Sequence, residues 1–383
     1  MSLFIVVDQK IMDWERKGEI VENYFNPENI FNDIIVFSLI QNGKPSNEIL
    51  KKLCGTKNYK YIEINNFFLK NKFSKYFLPK FIYKKLIFFE LNSLNIKKPK
   101  LIQSIGDGFS GFIANLIARK FKIKSFLTIH SFVSFEIFFN YMNIKEKIMY
   151  LIQLRFKSLS HKDTNKILIV YKKIQENIKK DFHKKISLIY NRVFYKENFQ
   201  KKKYHNNKNF NLVFVGRLIR GKSPEMIIKS LQKIDKVTFT IYGDGPERSR
   251  LENLIISLGM QKKVFLKGYE KNIVLLDNLK KFDAFIMYGK YFEFPKTIIE
   301  SILIGLPVIM NKNPSSFLDE YKGLKILWVN DNQSSYEKCI KQIIEDKINL
   351  KKMAIENFKI INKEFLPSYN SKKYSQLLNE LIK

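Results

Sequence analysis

Short runs of apolar residues alternate with amphipathic stretches along almost the whole chain. The apolar runs predict strands, and the amphipathic stretches predict helices. Strands are predicted at residues 3–7, 34–39, 101–105, 125–129, 167–170, 212–215, 237–242, 264–266, 284–288, 307–310 and 325–329. Helices are predicted at residues 109–120, 224–233, 274–281, 296–304, 334–345, 350–363 and 368–383, and another ends near residue 258. This alternation is typical of α/β proteins with parallel sheets and crossover helices.

A polar run at residues 198–209 (NFQKKKYHNNKN) has no apolar periodicity and predicts a linker. The alternation on either side of it predicts two doubly wound, Rossmann-like domains at residues 1–197 and 210–365. The length of 383 residues agrees with two or three domains of about 150 residues each. Residues 366–383 are predicted to form a C-terminal helix that packs back on the first domain.

The net charge of +32 is the most unusual feature of the composition. Only eight of the 68 basic residues are arginine, and asparagine, isoleucine and phenylalanine are also abundant. Nucleic-acid surfaces more often use clustered arginine, so we expect no specific nucleic acid as a partner. Three interpretations stay open: a compositional bias without function, attraction to an anionic membrane surface or polyphosphate ligand, and, least favoured, nucleic-acid binding.

Cysteine usage and the apolar segments indicate a cytoplasmic protein. Cys54 and Cys339 lie far apart without a partner motif, which argues against disulfides and against a cysteine zinc site. The apolar run at residues 3–7 is too short for a signal peptide and meets Asp8 at once. Residues 125–144 contain polar side chains and fall short of a spanning helix. We therefore expect a cytoplasmic protein, at most peripheral on the cytoplasmic face of the inner membrane.

The first candidate binding motif stands where the predicted strand at residues 212–215 ends. Gly216 and Arg217 follow this strand, and Lys222 comes shortly afterwards. Open parallel sheets bind ligands at such strand ends. Two cations beside a helix N-terminus suit a diphosphate. The alternative is that both are ordinary surface cations in a lysine-rich chain.

A glycine-rich turn follows the predicted strand at residues 237–242. Gly243, Asp244 and Gly245 precede Pro246 in this turn. Two glycines permit tight backbone geometry and the close approach of a ligand. Because such turns are common, a purely structural role is the alternative to lining a ligand site.

The third motif places two carboxylates around a predicted helix start. Glu293 precedes Pro295, Lys296 and Thr297, and Glu300 lies in mid-helix among apolar neighbours. A carboxylate in such surroundings is costly unless it is paired or hydrogen-bonded. A ribose diol or a basic neighbour would satisfy Glu300, and an exposed helix face is the alternative.

Together the three motifs resemble, in order and spacing, the C-terminal half of the retaining GT-B glycosyltransferases of family 4, the glycosyl transferases group 1. That family has a Gly-Arg-Leu strand end with a downstream Lys, a Gly-Asp-Gly-Pro turn, and Glu-Gly-Phe-Pro with a second Glu before Gly-x-Pro-Val. The matching residues here are Gly216-Arg217-Leu218 with Lys222, Gly243-Asp244-Gly245-Pro246, Phe294-Pro295, Glu300 and Gly305-Leu306-Pro307-Val308. The resemblance covers residues 211–363 and extends more loosely to residues 128–130 and 189–191.

The first glutamate of the family motif is displaced in this chain. When the motif is registered on Phe294-Pro295 and Glu300, the family's glutamate falls on Phe292 and its glycine falls on Glu293. In the family this carboxylate lies near the donor sugar. Either Glu293 replaces it from the adjacent position, or its role is lost.

The resemblance implies a GT-B fold, in which two Rossmann-like domains face each other across a cleft. It implies transfer of a sugar, with retention, from a UDP- or GDP-sugar donor to a hydroxyl acceptor, without a further cofactor. It implies catalytic roles for His130, Arg217, Lys222 and Glu293. It implies donor contacts for Gly18, Gly216, Gly243, Asp244, Gly245, Pro295, Lys296, Thr297 and Glu300. No metal is expected, because the two cations and helix N-termini would stabilise the departing diphosphate.

The first half of the chain is expected to bind the acceptor. His130 follows a strand, where a packing role is the alternative to a hydrogen bond with the transferred sugar or the acceptor. Gly18 follows the first strand, but the adjacent-glycine pair usual in the family is absent. Residues 132–157 interleave seven aromatic side chains with four basic ones. Their helical spacing predicts core packing, with an interfacial helix facing a lipid-linked acceptor as the alternative.

The expected function is therefore sugar transfer to a glycan or lipid-linked acceptor in bacterial surface polysaccharide, lipopolysaccharide or glycan biosynthesis. Two other functions stay open. One is a nucleotide-sugar epimerase or a phosphorylase, which can share the GT-B architecture. The other is a non-catalytic partner in glycan assembly, which the displaced glutamate keeps open. The glycine-rich turn and the spacing of Phe294-Pro295 to Glu300 favour the transferase.

Overall fold

The computed structural model describes the chain except for residues 17–19, 41–42, 65–77, 133–142, 196–208, 292 and 346–347. Packing divides the chain into two compact units. Unit 1 consists of Met1–Tyr190 and Asn370–Lys383, and unit 2 consists of Asn191–Tyr369. Each unit is built on one parallel sheet with helices between its strands, so the predicted α/β fold class is confirmed.

Unit 1 has a seven-stranded parallel sheet in the order β3-β2-β1-β4-β5-β6-β7. Its strands are β1 Ser2–Val7, β2 Asp33–Ser38, β3 Asn58–Glu63, β4 Leu101–Ile105, β5 Lys124–Ile129, β6 Lys166–Ile169 and β7 Ile186–Leu188. Its helices before the domain boundary are α1 Ile11–Arg16, α2 Asn47–Cys54, α3 Lys80–Ser93, α4 Phe109–Phe121 and α5 Ile144–Asp163. The order reverses between β1 and β4, which is the arrangement of a doubly wound sheet.

The core of unit 1 lies between the central strands and helices α3, α4 and α5. Helix α4 is buried along most of its length and covers β1, β4 and β5. Tyr83 of α3 packs its ring edge-on against Phe109 and Phe112 of α4 and against Phe156 of α5. Such offset and edge-to-face aromatic pairs add to the stability that burial alone provides. This aromatic cluster fixes the positions of the three helices.

Unit 2 has a six-stranded parallel sheet in the order β10-β9-β8-β11-β12-β13. Its strands are β8 Phe210–Val215, β9 Val237–Tyr242, β10 Val264–Gly268, β11 Ala284–Met287, β12 Val308–Asn311 and β13 Ile326–Val329. Its helices are α6 Glu225–Ser230, α7 Arg248–Ser257, α8 Asn272–Leu279, α9 Lys296–Ile304, α10 Gln333–Ile344 and α11 Leu350–Glu364. Numbered within the unit, the strand order is 3-2-1-4-5-6, the Rossmann order.

The chain returns to unit 1 through its last helix, α12 Pro367–Ile382. The hydroxyl of Tyr374 donates to Gln103 Oε1 at 2.9 Å, and Ser375 Oγ donates to the carbonyl of Pro27 at 3.3 Å. Asn370 Oδ1 accepts the backbone N–H of Tyr190 at 3.1 Å. These contacts attach the C-terminal helix to unit 1, whose other residues end at Tyr190.

The observed boundary between the units differs from the predicted one. Unit 1 ends at Tyr190 rather than at residue 197, and the predicted linker lies almost entirely outside the described residues. Residues 191–195 belong to unit 2 because they pack there: Val193 is buried, and the backbone N–H of Phe194 bonds to Glu300. No helix within the described ranges combines the length and apolarity that crossing a membrane requires.

Candidate functional site

The strand order of unit 2 reverses between β8 and β11, and parallel sheets bind ligands outside the carboxyl ends of the strands at this point. Strand β8 ends at Val215 and leads into Gly216, Arg217 and Lys222. Strand β11 ends at Met287 and leads towards Glu293. The structure therefore brings the first and third sequence motifs to the same edge of one sheet.

Backbone contacts hold the glycine-rich turn after β9 against the turn after β8. A Cβ atom added to Gly243, whose φ is +142°, would lie 1.9 Å from the carbonyl oxygen of Gly216. One added to Gly245, whose φ is +153°, would lie 2.4 Å from the carbonyl oxygen of Leu218. The N–H of Leu218 donates to the carbonyl of Asp244 at 2.9 Å. Both glycines are thus required for the two turns to pack together.

A second backbone-level contact joins the loop after β8 to the loop after β11. Gly221 has a φ of +81°, and a Cβ there would lie 2.7 Å from the hydroxyl of Tyr291. That hydroxyl donates to the carbonyl of Arg220, and the N–H of Lys290 donates to the carbonyl of Gly221 at 2.9 Å. This contact determines where the next residue, Lys222, stands.

Lys222 and Glu293 form an ion pair at this edge of the sheet. The Lys222 ammonium donates to Glu293 Oε2, and the two side chains are 13% and 22% exposed. The other carboxylate oxygen, Glu293 Oε1, is buried and has no hydrogen-bond partner among the described residues. A buried acceptor without a partner costs about 1–3 kcal/mol, which a ligand hydroxyl would recover. Phe292, on which the family's glutamate would fall, lies outside the described residues.

Three side chains at and just after the end of β12 anchor the loop that carries Glu293. Asn311 receives the N–H of Gly289 at 2.9 Å and donates to its carbonyl at 3.0 Å. Asn313 donates to the same carbonyl at 2.7 Å. Ser315 Oγ donates to the carbonyl of Tyr291 and accepts the N–H of Glu293 at 2.9 Å. The sequence motifs do not indicate this anchor.

Arg217 differs from Lys222 in its surroundings. Its side chain is exposed, and it makes no ion pair within the part of the chain that the structure describes. The backbone of its turn is fixed on both sides, because Gly216 N–H donates to Tyr242 at 3.0 Å and Leu218 is held by Asp244. The guanidinium is therefore exposed to solvent, while the backbone that carries it is held in place by hydrogen bonds.

Helix α9 begins immediately after the Glu293 loop. Pro295 occupies its N-cap position, and no side chain among the described residues caps the first turn, which contains Lys296 and Thr297. The backbone N–H groups at a helix N-terminus carry partial positive charge and bind anions readily. Because Glu293 lies two residues before Pro295, the paired Lys222 stands beside this helix start.

Glu300 is buried in the middle of α9, with 7% of its surface exposed. Burial raises its pKa to about 7, although the charge of Lys296 and the N–H of Phe194 act in the opposite direction. Removal of a carboxylate from water disfavours its charged form. Most of the surface of α9 is buried, so Glu300 does not lie on an exposed helix face.

The remaining predicted site residues belong to unit 1. His130 follows β5, and its Nε2 lies 2.9 Å from the hydroxyl of Tyr24. Gly18 lies outside the described residues. A second histidine, His161, places Nε2 2.9 Å from Oδ2 of Asp107, the residue in the turn after β4. Neither Tyr24 nor the pairing of His161 with Asp107 could be inferred from a motif, because the partners are distant in sequence.

Comparison with known proteins agrees with this architecture. Residues 195–360 match the family described as Glycosyl transferases group 1. The O-antigen biosynthesis glycosyltransferase WclY of Escherichia coli is 25% identical over 279 residues, which cover 65% of this chain and 74% of that protein. A second relative is 26% identical over 277 residues, which cover 68% of this chain and 73% of that protein. It is the N-acetylgalactosamine-N,N'-diacetylbacillosaminyl-diphospho-undecaprenol 4-alpha-N-acetylgalactosaminyltransferase of Campylobacter jejuni.

Solved structures with a similar fold are also glycosyltransferases of the GT-B type. Anabaena Alr3699/HepE, in complex with UDP and glucose, superposes with a TM-score of 0.71 over 100% of both chains at 14% identity. The lipopolysaccharide outer core galactosyltransferase WaaB in its apo form gives a TM-score of 0.66 over 99% of both chains at 16% identity. Residues 195–360 therefore resemble the group 1 glycosyltransferases, the two units have the fold of GT-B enzymes, and the protein is a glycosyl-transferring enzyme of the EC 2.4 type.

Proposed function

We propose that this enzyme is a retaining family 4 glycosyltransferase that moves a sugar from a UDP-sugar to a hydroxyl of a glycan or lipid-linked acceptor. Unit 2 binds the donor and unit 1 binds the acceptor. UDP is preferred to GDP because the similar HepE structures contain UDP, UDP with glucose, or UDP-glucose. The O-antigen and diphospho-undecaprenol names of the relatives support a lipid-linked acceptor in bacterial surface-glycan assembly.

The Lys222–Glu293 ion pair beside the start of α9 is the observation that carries the proposal. A diphosphate at this edge would meet the Lys222 ammonium, the Arg217 guanidinium and the N–H groups of Lys296 and Thr297. Gly216 lets the donor approach the backbone between these groups. Fixed positive groups aimed at a developing negative charge are usually the largest single contribution to catalysis.

The two carboxylates would then have separate roles. Glu300 accepts hydrogen bonds from the ribose hydroxyls, which would replace the water that its burial removes. Glu293 orients Lys222 through Oε2 and offers Oε1 to a hydroxyl of the donor sugar. In this arrangement Glu293 takes the role of the displaced family glutamate. Gly243, Asp244 and Gly245 contribute by supporting the Gly216–Leu218 turn.

The slow event in this mechanism is departure of the nucleoside diphosphate from the anomeric carbon. Arg217, Lys222 and the α9 N-terminus stabilise the charge that develops on the leaving phosphate. His130 donates or accepts a hydrogen bond at the transferred sugar or the acceptor hydroxyl. These groups replace a metal ion, so we expect transfer to be unchanged in EDTA. A strict requirement for added Mg²⁺ or Mn²⁺ would contradict this part of the mechanism.

A thermal-shift screen tests the donor site. Wild type is compared with Lys222→Ala in UDP, GDP, ADP, CMP and their sugar conjugates, and Lys262→Ala, an exposed cation on unit 2, is the matched control. A ligand at 100 times its Kd stabilises by about 2.7 kcal/mol. We expect UDP compounds to stabilise wild type and Lys262→Ala but not Lys222→Ala. Failure of every nucleotide above millimolar concentration would instead support a non-catalytic partner.

Product analysis tests the reaction. Incubated with a UDP-sugar and a glycolipid acceptor, the enzyme should give UDP and an axial or equatorial linkage that matches the donor anomer by NMR. Lys222→Ala should lower the rate about a hundredfold or more, the usual cost of removing a preorganised oxyanion stabiliser. Conversion of the donor alone into its C2 epimer would establish the epimerase instead, and full activity of Lys222→Ala would overturn the mechanism.

A further inference from the structure

A carboxylate stands at the point where the sheet of unit 1 reverses its strand order. Strands β1 and β4 are neighbours there, with β2 and β3 on the other side of β1. Their register pairs Val7 with Ile105, so Asp8 and Gly106 are the first residues beyond the carboxyl ends of the two strands. Open parallel sheets bind ligands in the crevice outside the carboxyl ends at such a reversal. The Asp8 carboxylate therefore lies where this type of sheet is expected to hold a ligand.

Gly106 leaves the space beside the Asp8 carboxylate open. A Cβ atom added to Gly106, whose φ is +104°, would lie 3.2 Å from Ser110 Oγ and 3.9 Å from Asp8 Oδ1. The carboxylate is thus turned towards the backbone of Gly106, and residue 106 has no side chain to cover it. The N–H of Gly106 donates to the carbonyl of Thr128 at 2.8 Å, which holds this backbone in place. A fixed glycine backbone allows a ligand to approach closely.

Asp107, the second carboxylate at this reversal, is directed towards helix α5. Its Oδ2 atom lies 2.9 Å from His161 Nε2 and 3.4 Å from Lys157 Nζ. Its backbone carbonyl accepts a hydrogen bond from Ser160 Oγ. Three consecutive groups of α5 side chains thus hold Asp107 and fix the turn after β4. Asp107 has a structural role, and Asp8 is the carboxylate that stands beside the uncovered glycine.

His130 stands on the other side of the Gly106 turn. Strand β5 pairs with β4 on the side away from β1, and His130 follows the end of β5. The hydroxyl of Tyr24 lies 2.9 Å from His130 Nε2 and holds the ring. Neighbouring strands are about 4.8 Å apart, so the ends of β1 and β5 are separated by about 10 Å. Asp8 and His130 therefore flank Gly106 at a spacing that suits a single sugar ring.

We propose that the Asp8 site, defined as Asp8, Gly106 and His130, binds the terminal sugar of the acceptor, and that the Asp8 carboxylate accepts hydrogen bonds from its hydroxyls. An ionised carboxylate only accepts hydrogen bonds, and those it accepts are stronger than bonds between neutral groups. Its charge repels an anion at the same place. The site therefore selects a neutral sugar and disfavours a uronic acid or a sugar phosphate. This inference rests on the proposed function, because it names the group of unit 1 that receives the acceptor.

Transfer kinetics test the proposal, with octyl glycosides of glucose, galactose and their N-acetylamino forms as acceptors and the corresponding UDP-sugars as donors. For the pair that wild type uses best, we expect Asp8→Asn to lower kcat/KM for the acceptor about tenfold or more, mainly by raising KM. Asp8→Glu keeps the charge and should recover part of this loss. UDP stabilisation and donor hydrolysis without acceptor should be unchanged. The matched control is Asp33→Asn, an exposed carboxylate where β2 begins, at the opposite edge of the same sheet. It should behave as wild type.

A second measurement needs only wild type and therefore decides the question even if Asp8→Asn does not fold. Octyl glucuronide should compete for the acceptor site about tenfold or more weakly than octyl glucoside. Four outcomes would overturn the proposal: unchanged acceptor kinetics in Asp8→Asn, an equal loss in Asp33→Asn, equal competition by the two glucosyl compounds, and use of no neutral glycoside by wild type. If UDP stabilises wild type in these samples, such a result removes only the Asp8 site. If no UDP compound stabilises wild type, the proposed function itself fails.

Discussion

In each unit the strand order reverses beside the first strand, and loops follow the carboxyl ends of the strands. The contacts that these loops make with one another differ between unit 1 and unit 2. In unit 2 the loops meet backbone to backbone, as where Gly243 lies against Gly216. In unit 1 the loops at this edge also meet through side chains that are distant in sequence, as between His130 and Tyr24 or His161 and Asp107, beside backbone bonds such as that from Gly106 N–H to the carbonyl of Thr128. One topology thus supports a rigid edge and an edge that substitution can remodel.

This difference suits the two substrates that we propose. A nucleoside diphosphate presents the same groups in every donor, so a fixed cradle of backbone and cations can serve it in many enzymes. Acceptors differ from one glycan to the next. An edge joined by side chains can change its specificity by substitution without moving the backbone, whereas the glycine contacts of unit 2 tolerate no larger residue.

Two carboxylates, one in each unit, also differ in their electrostatics. At Glu300 of unit 2, burial dominates and raises the pKa to about 7. At Asp107 of unit 1, burial also acts to raise the pKa, but the hydrogen bond from His161 and the charge of Lys157 outweigh it and lower the pKa. Both carboxylates have partners in their own unit, but only at Asp107 do these partners outweigh burial; at Glu300 the N–H of Phe194 and the charge of Lys296 do not.

The largest effect is expected from Gly243→Ala, which attacks the backbone contact of unit 2. The added Cβ would overlap the carbonyl of Gly216, and the φ of +142° would be strained. Strain and overpacking each cost about 1–3 kcal/mol, so unit 2 should lose roughly 4 kcal/mol of its free energy of unfolding. Urea unfolding in a Trp14→Phe background, followed by the fluorescence of Trp328, would measure unit 2 alone.

Gly106→Ala is the matched substitution in unit 1. Its φ of +104° gives a comparable backbone strain, but its Cβ would meet side-chain atoms, Ser110 Oγ at 3.2 Å and Asp8 Oδ1 at 3.9 Å, and no backbone carbonyl. Trp14 would report its unfolding in a Trp328→Phe background. A loss at Gly106 as large as that at Gly243 would show that strain alone matters and would remove the proposed difference between the edges.

Glu300→Gln should give the next largest effect, and its sign depends on pH. The folded pKa of about 7 exceeds the ordinary 4.5, so folded unit 2 binds more protons than the unfolded chain between these values. Wild-type stability therefore falls as the pH rises from about 4.5 to about 7. The variant lacks this loss. We expect it to be roughly 3 kcal/mol more stable than wild type at pH 8 and similar at pH 4.5, while it no longer binds UDP.

Asp107→Asn provides the opposite sign in unit 1. Because the pKa of Asp107 is lowered, its contribution is present above the unfolded value of 3.8 and is lost as the pH falls through the folded value. The variant should therefore be less stable than wild type at pH 7 and approach it in acid.

If Glu300→Gln were destabilising at pH 8, the carboxylate would have a compensating partner and its ribose role would lose support.

The central strands could be predicted from sequence because burial on both faces requires continuous apolar runs. Strands β3 and β7 were not predicted, and both lie at the edges of the unit 1 sheet. The residues of β3 (NYKYIE) alternate in polarity, and β7 contains only three residues, each half-buried. Edge strands bury less surface, so their sequences carry a weaker signal.

The site was predictable where the chemistry demands particular residues. Glycines at positive φ, paired cations and a mid-helix carboxylate are unusual enough to be seen in the sequence. The Asn311 and Ser315 anchor was not, because asparagine and serine after a strand also occur in ordinary loops. Tyr24 was missed because its contact with His130 spans 106 residues. Such contacts exist only once the sheet has assembled.

Ser315→Ala should have a smaller, local effect on the rigid edge. It removes one acceptor for Glu293 N–H and one donor to the carbonyl of Tyr291. Leaving these groups unsatisfied costs about 1–3 kcal/mol, and the Glu293 loop would lose its register with Lys222. We expect the transfer rate to fall about tenfold with little change in the KM of the donor. Ser257→Ala, an exposed serine bonded to Leu254, is the control, and an equal loss there would exclude a specific role for the anchor.

Tyr24→Phe is expected to have the smallest effect, because it removes one hydrogen bond from the edge of unit 1. The phenyl ring keeps the edge-to-face contact with Phe25, while His130 loses the hydroxyl at 2.9 Å. A hydrogen bond of this kind contributes about 1 kcal/mol, so kcat/KM for the acceptor should fall about fivefold. Stabilisation by UDP should be unchanged, since the donor binds unit 2.

The control is Tyr59→Phe, which removes a hydroxyl that donates to the carbonyl of Asn47, also in unit 1. It should change neither kcat/KM for the acceptor nor the stabilisation by UDP. Weaker UDP stabilisation in Tyr24→Phe would mean that His130 serves the donor, and the assignment of the remodellable edge to the acceptor would then be wrong.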